Sequence, residues 1–306
     1  MKKVVRMLGL CALVALAFTS CKKKETNGTV SFKAAMPETT TDNRTHLNVN
    51  NWVVWDAGDK ITIFNNDGSG YIETELENGQ DATIATFKGD ANFLANLETP
   101  NQYTAFYPVF NNDGTNVTFR ISNQQNYVED GFMDELYPMF ATNVNSATTD
   151  FQFKSQAGVL SIPIKMGNNQ MEPYTIKRIV LTALYESEEL VGDMTYSFDK
   201  PYETTPTYSR GNQSHIVELV NCDTEPLTSD ARYFNFVLLE GALLPQPDNQ
   251  PTFKIELYDV NDNLIPVYNN DETPQLVNPL TGYTPYGIVA QEKTMMAPIV
   301  LKRIPQ

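Results

Sequence analysis

The chain has 306 residues, of which 41% are hydrophobic, and its formal net charge is −15 at pH 7. This length allows one large or two ordinary domains, and the hydrophobic fraction is enough to build sizeable cores. A chain this acidic repels phosphate backbones, which excludes nucleic acid as an expected partner. The only two histidines, His46 and His215, exclude a histidine-based metal cluster.

The N-terminal segment has the pattern of a secretory signal. An apolar run over residues 8–18 follows three basic residues. Cys21 then follows the small pair Thr19-Ser20, as in the lipobox of a bacterial lipoprotein. We therefore predict a lipoprotein signal peptide over residues 1–20 and acyl chains such as palmitate on Cys21. A simple signal peptide or a lone membrane helix is the alternative, but the apolar run is short for a membrane span.

The three cysteines argue against a disulfide and against thiol catalysis. Cys11 lies in the predicted signal and Cys21 would carry lipid, so Cys222 has no intrachain partner in the mature protein. Cys222 and His215 could suggest a nucleophile with its base. At this spacing on a strand they would stand far apart, which favours a buried structural cysteine. We therefore predict no catalytic residue, and the chain is not expected to be an enzyme.

Residues 21–50 are predicted to form a lipidated tether, a first strand and a processing segment. Thr29 to Ala34 alternates apolar and polar side chains, which is typical of a half-buried strand. Residues 37–43 contain no large apolar side chain and predict an exposed connector. This connector ends at Arg44 and Thr45, where a trypsin-like protease could cut after the basic side chain. A solvated loop arginine is the alternative interpretation.

Short strands with turn residues between them fill residues 51–166, which is typical of a β-sandwich. The predicted strands here are 52–55, 60–64, 71–76, 82–87, 103–107, 117–121, 151–154 and 158–164. Asn-Asp-Gly sequences at 66–68 and 112–114 predict hairpin turns. The oxygen-rich side chains of residues 65–70 and 111–114 could instead hold Ca²⁺, but neither segment has the alternating ligands and terminal Glu of an EF-hand loop. We therefore expect no metal and no cofactor.

Residues 167–173 are polar, contain a glycine and end in a proline, and we predict a domain boundary there. The N-terminal β-sandwich is then expected over 51–166 and the C-terminal β-sandwich over 167–306. The predicted strands of the second half are 176–181, 191–198, 214–220, 233–239, 252–258 and 299–304. Helical patterns are short and occur near 92–97 and 131–136.

Five sequence blocks stand out in the N-terminal half. They are Trp55-Asp-Ala-Gly-Asp-Lys-Ile61, Tyr103-Thr-Ala-Phe-Tyr-Pro108, Gln124-Gln125, Pro138-Met-Phe-Ala141 and Phe153-Lys-Ser-Gln-Ala-Gly-Val-Leu160. Their order and spacing resemble the fimbrillin-like family, whose members are lipoprotein precursors of type V pilins and their accessory subunits. The resemblance implies an all-β fold of two tandem transthyretin-like Greek-key β-sandwich domains behind a lipoprotein signal peptide. It also implies outer-membrane lipidation and assembly into surface filaments.

The aromatic residues in and beside these blocks have two interpretations. Trp52, Trp55, Phe106 and Tyr107 could form a ligand platform. Aromatic side chains dominate burial in strands, so we predict that these four pack in the core or between sheets.

The expected function is a structural or tip subunit of a cell-surface pilus, exported as a surface-exposed outer-membrane lipoprotein and incorporated into the fimbrium. In the pilins that the chain resembles, an Arg-specific protease cuts the precursor and subunits join by donor-strand exchange. Arg44 and Thr45 would flank that cut, and Ile299–Ile304 of a neighbouring subunit is the candidate donor. The alternative is a surface glycan-binding or adhesin lipoprotein that does not polymerise and binds a host or glycan receptor.

Overall fold

The computed structural model describes residues 29–36, 54–65, 70–90, 103–113, 116–143, 150–167, 173–197, 208–245, 247–267, 280–282, 288 and 293–301. Within these ranges the regular elements are β-strands, apart from the two 3₁₀-helices Asp134–Leu136 and Pro247–Asn249. The predicted all-β fold class is confirmed. None of the helices in these ranges has the length and hydrophobicity of a membrane span.

The strands are numbered along the chain. They are β1 (Thr29–Ala35), β2 (Thr62–Asn65), β3 (Tyr71–Glu73), β4 (Glu75–Asn78), β5 (Ile84–Asp90), β6 (Tyr103–Tyr107), β7 (Asn111–Asn112), β8 (Asn116–Ile121), β9 (Gln124–Asn126), β10 (Met139–Asn143), β11 (Asp150–Gln152), β12 (Lys154–Ser155), β13 (Ala157–Met166), β14 (Ile176–Ala183), β15 (Val191–Ser197), β16 (Tyr208–Ser214), β17 (Ile216–Val220), β18 (Arg232–Leu239), β19 (Phe253–Asp259), β20 (Leu280–Gly282), β21 (Lys293–Met295) and β22 (Ile299–Leu301).

Two sheets from the N-terminal half are joined by one aromatic cluster. Their strand orders are β11-β1-β5-β4 and β12-β10-β6-β2-β3. Trp55 is fully buried, and its ring meets Phe87 of β5 edge-on at 4.9 Å and Tyr107 of β6 edge-on at 5.3 Å. Phe153 completes the cluster at 5.5 Å from Trp55. Because β5 and β6 belong to different sheets, this cluster forms the core between them.

The structure divides two of the predicted strands. The predicted strand 71–76 becomes β3 and β4, which lie in different sheets and are separated by Thr74. Thr74 is fully buried, and its Oγ1 donates a hydrogen bond to the Ile61 carbonyl at 2.9 Å. The predicted strand 151–154 is likewise divided at the buried Phe153 into β11 and β12. At each position the chain crosses from one sheet to the other, and alternation of side chains along a strand does not register such a crossing.

The remaining strands form three sheets. Their orders are β18-β13-β21 with β22 also paired to β13, β20-β19-β14-β17-β9, and β16-β15-β8-β7. The predicted boundary at 167–173 does not separate these sheets, because β8 pairs with β15 and β13 pairs with β18 across it. Sheets therefore extend across this limit, and the division into sandwiches over 51–166 and 167–306 stays a prediction. The tandem of two transthyretin-like domains stays a prediction.

Other local predictions agree closely with the strands. The predicted strand 103–107 is β6, and 117–121 and 191–198 correspond to β8 and β15. The short helical pattern near 131–136 contains the 3₁₀-helix Asp134–Leu136. Trp52, the turn at 66–68 and the helical pattern near 92–97 lie outside the described residues.

Candidate functional site: the first strand and its groove

β1 occupies an interior position in its sheet. It pairs antiparallel with β5 over seven residues, from Thr29 opposite Asp90 to Ala35 opposite Ile84. On its other edge it pairs parallel with β11, which places Ala34 opposite Phe151. The strand predicted from the alternation of residues 29–34 is therefore confirmed, and both of its edges are used.

One face of β1 fills part of the core. Phe32 is 1% exposed and Ala34 is fully buried, whereas Lys33 between them is exposed. The Phe32 ring lies 6.2 Å from the Phe151 ring. Gly89 of β5 leaves room for this ring. A Cβ atom at position 89 would lie 3.3 Å from the Phe32 ring and only 2.8 Å from the Ile72 side chain. A large residue at position 32 therefore fits against a glycine on the neighbouring strand.

The C-terminal end of β1 is fixed by three hydrogen bonds. The Met36 amide donates to the Thr83 carbonyl at 2.8 Å, and the Phe153 amide donates to the Ala35 carbonyl at 2.9 Å. The Gln152 side chain donates from Nε2 to the Met36 carbonyl at 2.6 Å. The strand is thus held up to Met36, the last residue before the predicted connector.

Loss of β1 would open a groove between β5 and β11. The backbone groups of these two strands would lose their hydrogen-bond partners, and Phe87 and Phe151 would lose the Phe32 ring that lies against them. An unpaired strand edge beside apolar pockets is the surface to which an added β-strand binds. Without β1, the groove would have both features of such a surface.

The structure describes part of the predicted donor strand but none of the residues predicted for lipidation and processing. Cys21, Arg44 and Thr45 lie outside the described residues. Within the predicted donor Ile299–Ile304, the described part forms β22, which pairs parallel with Ile164–Met166 of β13. Leu301 is fully buried there. The described part of the candidate donor is thus paired with its own chain.

His215 and Cys222 lie at opposite ends of β17. Cys222 is buried, and its Sγ donates a weak hydrogen bond to the Leu219 carbonyl at 3.4 Å. Burial raises the pKa of this thiol to about 12. The side chain is therefore protonated at neutral pH and packs as a small apolar group, the interpretation that the spacing favoured.

The predicted packing role of the aromatic residues is confirmed where the structure describes them. Trp55 and Phe106 are fully buried and Tyr107 is 4% exposed. Among the described residues no three His, Cys, Asp or Glu side chains gather closely enough to bind a metal ion. Between β7 and β8, Asp113 Oδ1 accepts the Asn116 amide at 2.6 Å, a contact typical of Asp at a turn.

Two of the five sequence blocks meet at Asp59. Its Oδ1 accepts the Tyr107 hydroxyl at 2.8 Å, and its Oδ2 accepts the Asp56 amide at 2.6 Å. Burial is the largest influence on this carboxyl and raises its pKa, against the opposing effect of these hydrogen bonds. The block residues therefore stabilise the fold of the first two sheets.

Gln125, in the third block, has a structural role that local sequence patterns do not indicate. It is 1% exposed, and its amide forms hydrogen bonds with the backbone of Val237 on β18. The second half of the chain thus contributes the partner of a residue from the first half.

The chain is an all-β protein, and its first described strand, β1, lies between two other strands of its sheet. No family model matches the chain, and no curated protein matches it. Solved structures with a similar fold include a proposed cell adhesion protein from Bacteroides uniformis, with 16% identity, coverage of 79% of this chain and 84% of that chain, and a TM-score of 0.43.

Two further structures are similar in the same way. A proposed cell adhesion protein from Bacteroides fragilis has 7% identity, covers 90% of this chain and 92% of its own, and has a TM-score of 0.45. The tip fimbrial protein Mfa3 from Porphyromonas gingivalis has 10% identity, covers 90% of this chain and 96% of its own, and has a TM-score of 0.31. These are likenesses of fold, and the role of this chain is inferred from its own residues.

Proposed function

We propose that this chain is a structural or tip subunit of a cell-surface pilus, exported as an outer-membrane lipoprotein and assembled by protease-triggered strand exchange. The observation that carries the proposal is the interior position of β1 between β5 and β11. The Arg44 connector follows this strand directly in the sequence. A cut there would break the covalent link between β1 and the rest of its sheet, so that β1 would be held only by non-covalent contacts. The resemblance of five sequence blocks to the fimbrillin-like family supports the same class.

A lipid on Cys21 would keep the precursor close to the membrane. Eight residue steps separate Cys21 from Thr29, so a fully extended tether spans at most about 28 Å. After a cut behind Arg44, the lipid would stay with β1 and the remainder of the chain would be held only by non-covalent contacts. Proteolysis would therefore prepare both release from the membrane and exchange of the strand.

The groove sets requirements for an incoming strand. A large apolar side chain is needed in the place of Phe32, because Phe87 and Phe151 lie around that site. A small side chain is needed in the place of Ala34, which is fully buried opposite Ala85. Burial of one phenylalanine side chain contributes about 2–3 kcal/mol, so a strand without a large residue there would compete poorly with β1.

The donor is proposed to come from a terminal segment of a neighbouring subunit. Ile299–Ile304 remains the candidate. Alternation would place Ile299 and Leu301 on the same face of a donated strand, so one of these large side chains would have to take the place of Ala34. In its own chain Ile299–Leu301 pairs with β13 at the end of a sheet. Donation would therefore require β22 to leave β13, which involves three paired residues in the described part of this segment.

The test of processing is Arg44→Ala in cells that make the pilus. We expect full-length lipidated monomer to accumulate and heat-resistant oligomers to vanish on immunoblots of boiled and unboiled samples. Lys60→Ala is the control, because the Lys60 side chain is 57% exposed and Lys60 is the next lysine or arginine after Arg44. Arg44→Lys separates the proteases, since an Arg-specific enzyme spares it and a general trypsin-like enzyme cuts it. Undiminished oligomers in Arg44→Ala would contradict the proposal that cleavage after Arg44 starts assembly.

The test of anchoring is Cys21→Ala. The variant precursor should no longer remain with the membrane fraction. Cys222→Ala should remain lipidated, because Cys222 is buried in the folded part of the chain and is not the predicted lipidation site. Mass spectrometry of the wild-type protein should show an acylated N-terminal Cys21. An unmodified Cys21 would contradict the lipoprotein assignment, and electron microscopy with and without the chain would show whether filaments depend on it.

A further inference from the structure

A cavity of about 480 Å³ lies beside the β7–β8 hairpin. Its wall includes Phe110 and Arg120 from the hairpin and Gln124 at the start of β9. Met133, Glu135 and Leu136 close it from the segment around the first 3₁₀-helix. This volume is in the range of sites for small ligands, about 300–1,000 Å³. None of these residues belongs to β1, β5 or β11, so the cavity would persist through strand exchange.

One wall of the cavity is an aromatic side chain that the core does not bury. Phe110 is 55% exposed. The Arg120 guanidinium carbon lies 3.7 Å from the centre of the Phe110 ring, which fixes the ring by a cation–π contact. Leu136 is 5% exposed and Met133 packs partly against the core. These side chains provide an apolar surface against which the flat face of a ligand can pack.

The polar part of the cavity wall is the Arg120 guanidinium, a hydrogen-bond donor that Asp193 holds in place. Arg120 donates from Nε to Asp193 Oδ1 at 2.6 Å and from Nη2 to Asp193 Oδ2 at 2.8 Å. Asp193 also accepts a hydrogen bond from the Asn212 amide at 2.6 Å. This fork-shaped pairing orients the guanidinium and leaves the Nη1 group to donate to a ligand.

The charges around the cavity disfavour an anion. Asp193 neutralises Arg120, and Glu135 adds a carboxylate to the lining. Glu135 is exposed and Gln124 is exposed, so the carboxylate and the amide can accept or donate hydrogen bonds at the cavity mouth. A phosphate, a sulfate or an acidic sugar would meet no uncompensated positive charge here.

We infer that this cavity binds a neutral saccharide. A pyranose ring has an apolar C–H face that suits the Phe110 side, and hydroxyl groups that both donate and accept. The hydroxyl groups would accept from Arg120 Nη1 and donate to the Glu135 carboxylate, with Gln124 able to do either. The inference does not rest on pilus assembly, because it concerns residues apart from the β1 groove.

The experiment is saturation-transfer NMR on the purified full chain with glucose, galactose, mannose and N-acetylglucosamine as probes, followed by a titration of any sugar that binds. N-acetylneuraminic acid is the anionic comparison and a tripeptide of alanine is the non-saccharide comparison. We expect at least one neutral sugar to bind with a Kd on the order of 1 mM, typical for a ligand of this size.

Phe110→Ala should weaken this binding by about tenfold, because it removes the surface under the sugar ring. Tyr185→Ala is the matched control, since Tyr185 is an aromatic residue 38% exposed and outside the cavity. Both substitutions are at exposed positions, so unchanged melting temperatures verify that both variants are folded. Glu135→Gln should also weaken binding if the carboxylate accepts sugar hydroxyls.

Three results would overturn the inference. The first is no saturation transfer to any of the four neutral sugars at about 20 mM, well above the expected Kd. The second is binding that Phe110→Ala leaves intact or that Tyr185→Ala reduces equally. The third is stronger binding of N-acetylneuraminic acid or of the peptide than of every neutral sugar, which would assign the cavity to another class of ligand.

Discussion

The side-chain amide of Gln125 pairs with both backbone groups of Val237. Gln125 Nε2 donates to the Val237 carbonyl at 2.8 Å, and the Val237 amide donates to Gln125 Oε1 at 3.0 Å. Val237 lies on β18, which ends the strand order of its sheet and pairs on its other side with β13. The glutamine therefore satisfies the free edge of β18 as a neighbouring strand would. This blocks that part of the edge against strand addition.

We predict that Gln125→Ala lowers the free energy of unfolding by about 2–4 kcal/mol, because it leaves two buried backbone groups without partners. Urea unfolding followed by circular dichroism measures the change. Gln124→Ala is the control, since Gln124 is exposed and its amide makes only a 3.5 Å contact with Glu218. Equal stability of the two variants would mean that the edge of β18 is satisfied in another way.

Predictions from the sequence succeeded where the determining contacts are local. The alternation in residues 103–107 and 29–34 identified β6 and β1, since side-chain alternation belongs to the strand itself. It also placed Phe32 on the buried face. The pattern did not show the breaks at Thr74 and Phe153, because a change of sheet depends on which strands face each other.

The candidate sites were less predictable for the same reason. Gln125 was noticed within a sequence block, but its partner Val237 lies 112 residues away. The interior position of β1 depends on β11, which follows more than a hundred residues later. The cavity joins Phe110 to Met133, which are separated along the chain by β7, β8 and β9, and no local pattern brings these two residues together.

The ion pair of Asp193 with Arg120 predicts a pH dependence of stability. The hydrogen bonds from Arg120, with a smaller contribution from Asn212, hold the pKa of Asp193 below its usual value. The carboxylate therefore contributes stability that is fully present above the unfolded-state pKa of about 3.9 and is lost as the pH falls through the lower folded-state pKa.

We expect Asp193→Asn to lower the free energy of unfolding by about 1–3 kcal/mol at pH 7, because the Arg120 guanidinium loses a charged and largely buried acceptor. The loss should shrink below pH 4, about where the wild-type contribution begins to fall. Urea unfolding at pH 7, 4 and 3 measures both effects. Asp262→Asn is the surface control, since Asp262 pairs with Lys177 and Arg178 but its side chain is 51% exposed. A pH-independent loss in Asp193→Asn would contradict the assignment to this carboxylate.

The buried thiol of Cys222 is predicted to be unreactive in the folded protein. Burial raises its pKa to about 12, so almost no thiolate exists at pH 8, and the side chain is inaccessible. Iodoacetamide at pH 8 should therefore leave Cys222 unmodified in native protein and alkylate it in urea, as measured by peptide mass spectrometry. Rapid native alkylation would contradict the buried, protonated thiol and show that Cys222 is reactive in the folded protein.

Under the proposed strand exchange, the contacts that hold β1 in its sheet would set how fast a cut subunit assembles. Phe32 is the large side chain that β1 places against Phe87 and Phe151, so Phe32→Ala should lower the free energy of unfolding of the uncut chain by about 3–5 kcal/mol. After cleavage behind Arg44 the same substitution should speed oligomer formation, because β1 must leave before another strand can enter. Lys33→Ala removes an exposed neighbour on the same strand and should match the wild type in both measurements. Light scattering after protease addition follows assembly.

An excess of a synthetic peptide of residues 28–36 should suppress this assembly by refilling the groove. The same peptide with Ala in place of Phe32 should suppress assembly weakly, since it lacks the side chain that the pocket fits. Equal rates for Phe32→Ala and Lys33→Ala, together with equal effects of the two peptides, would show that departure of β1 does not control assembly.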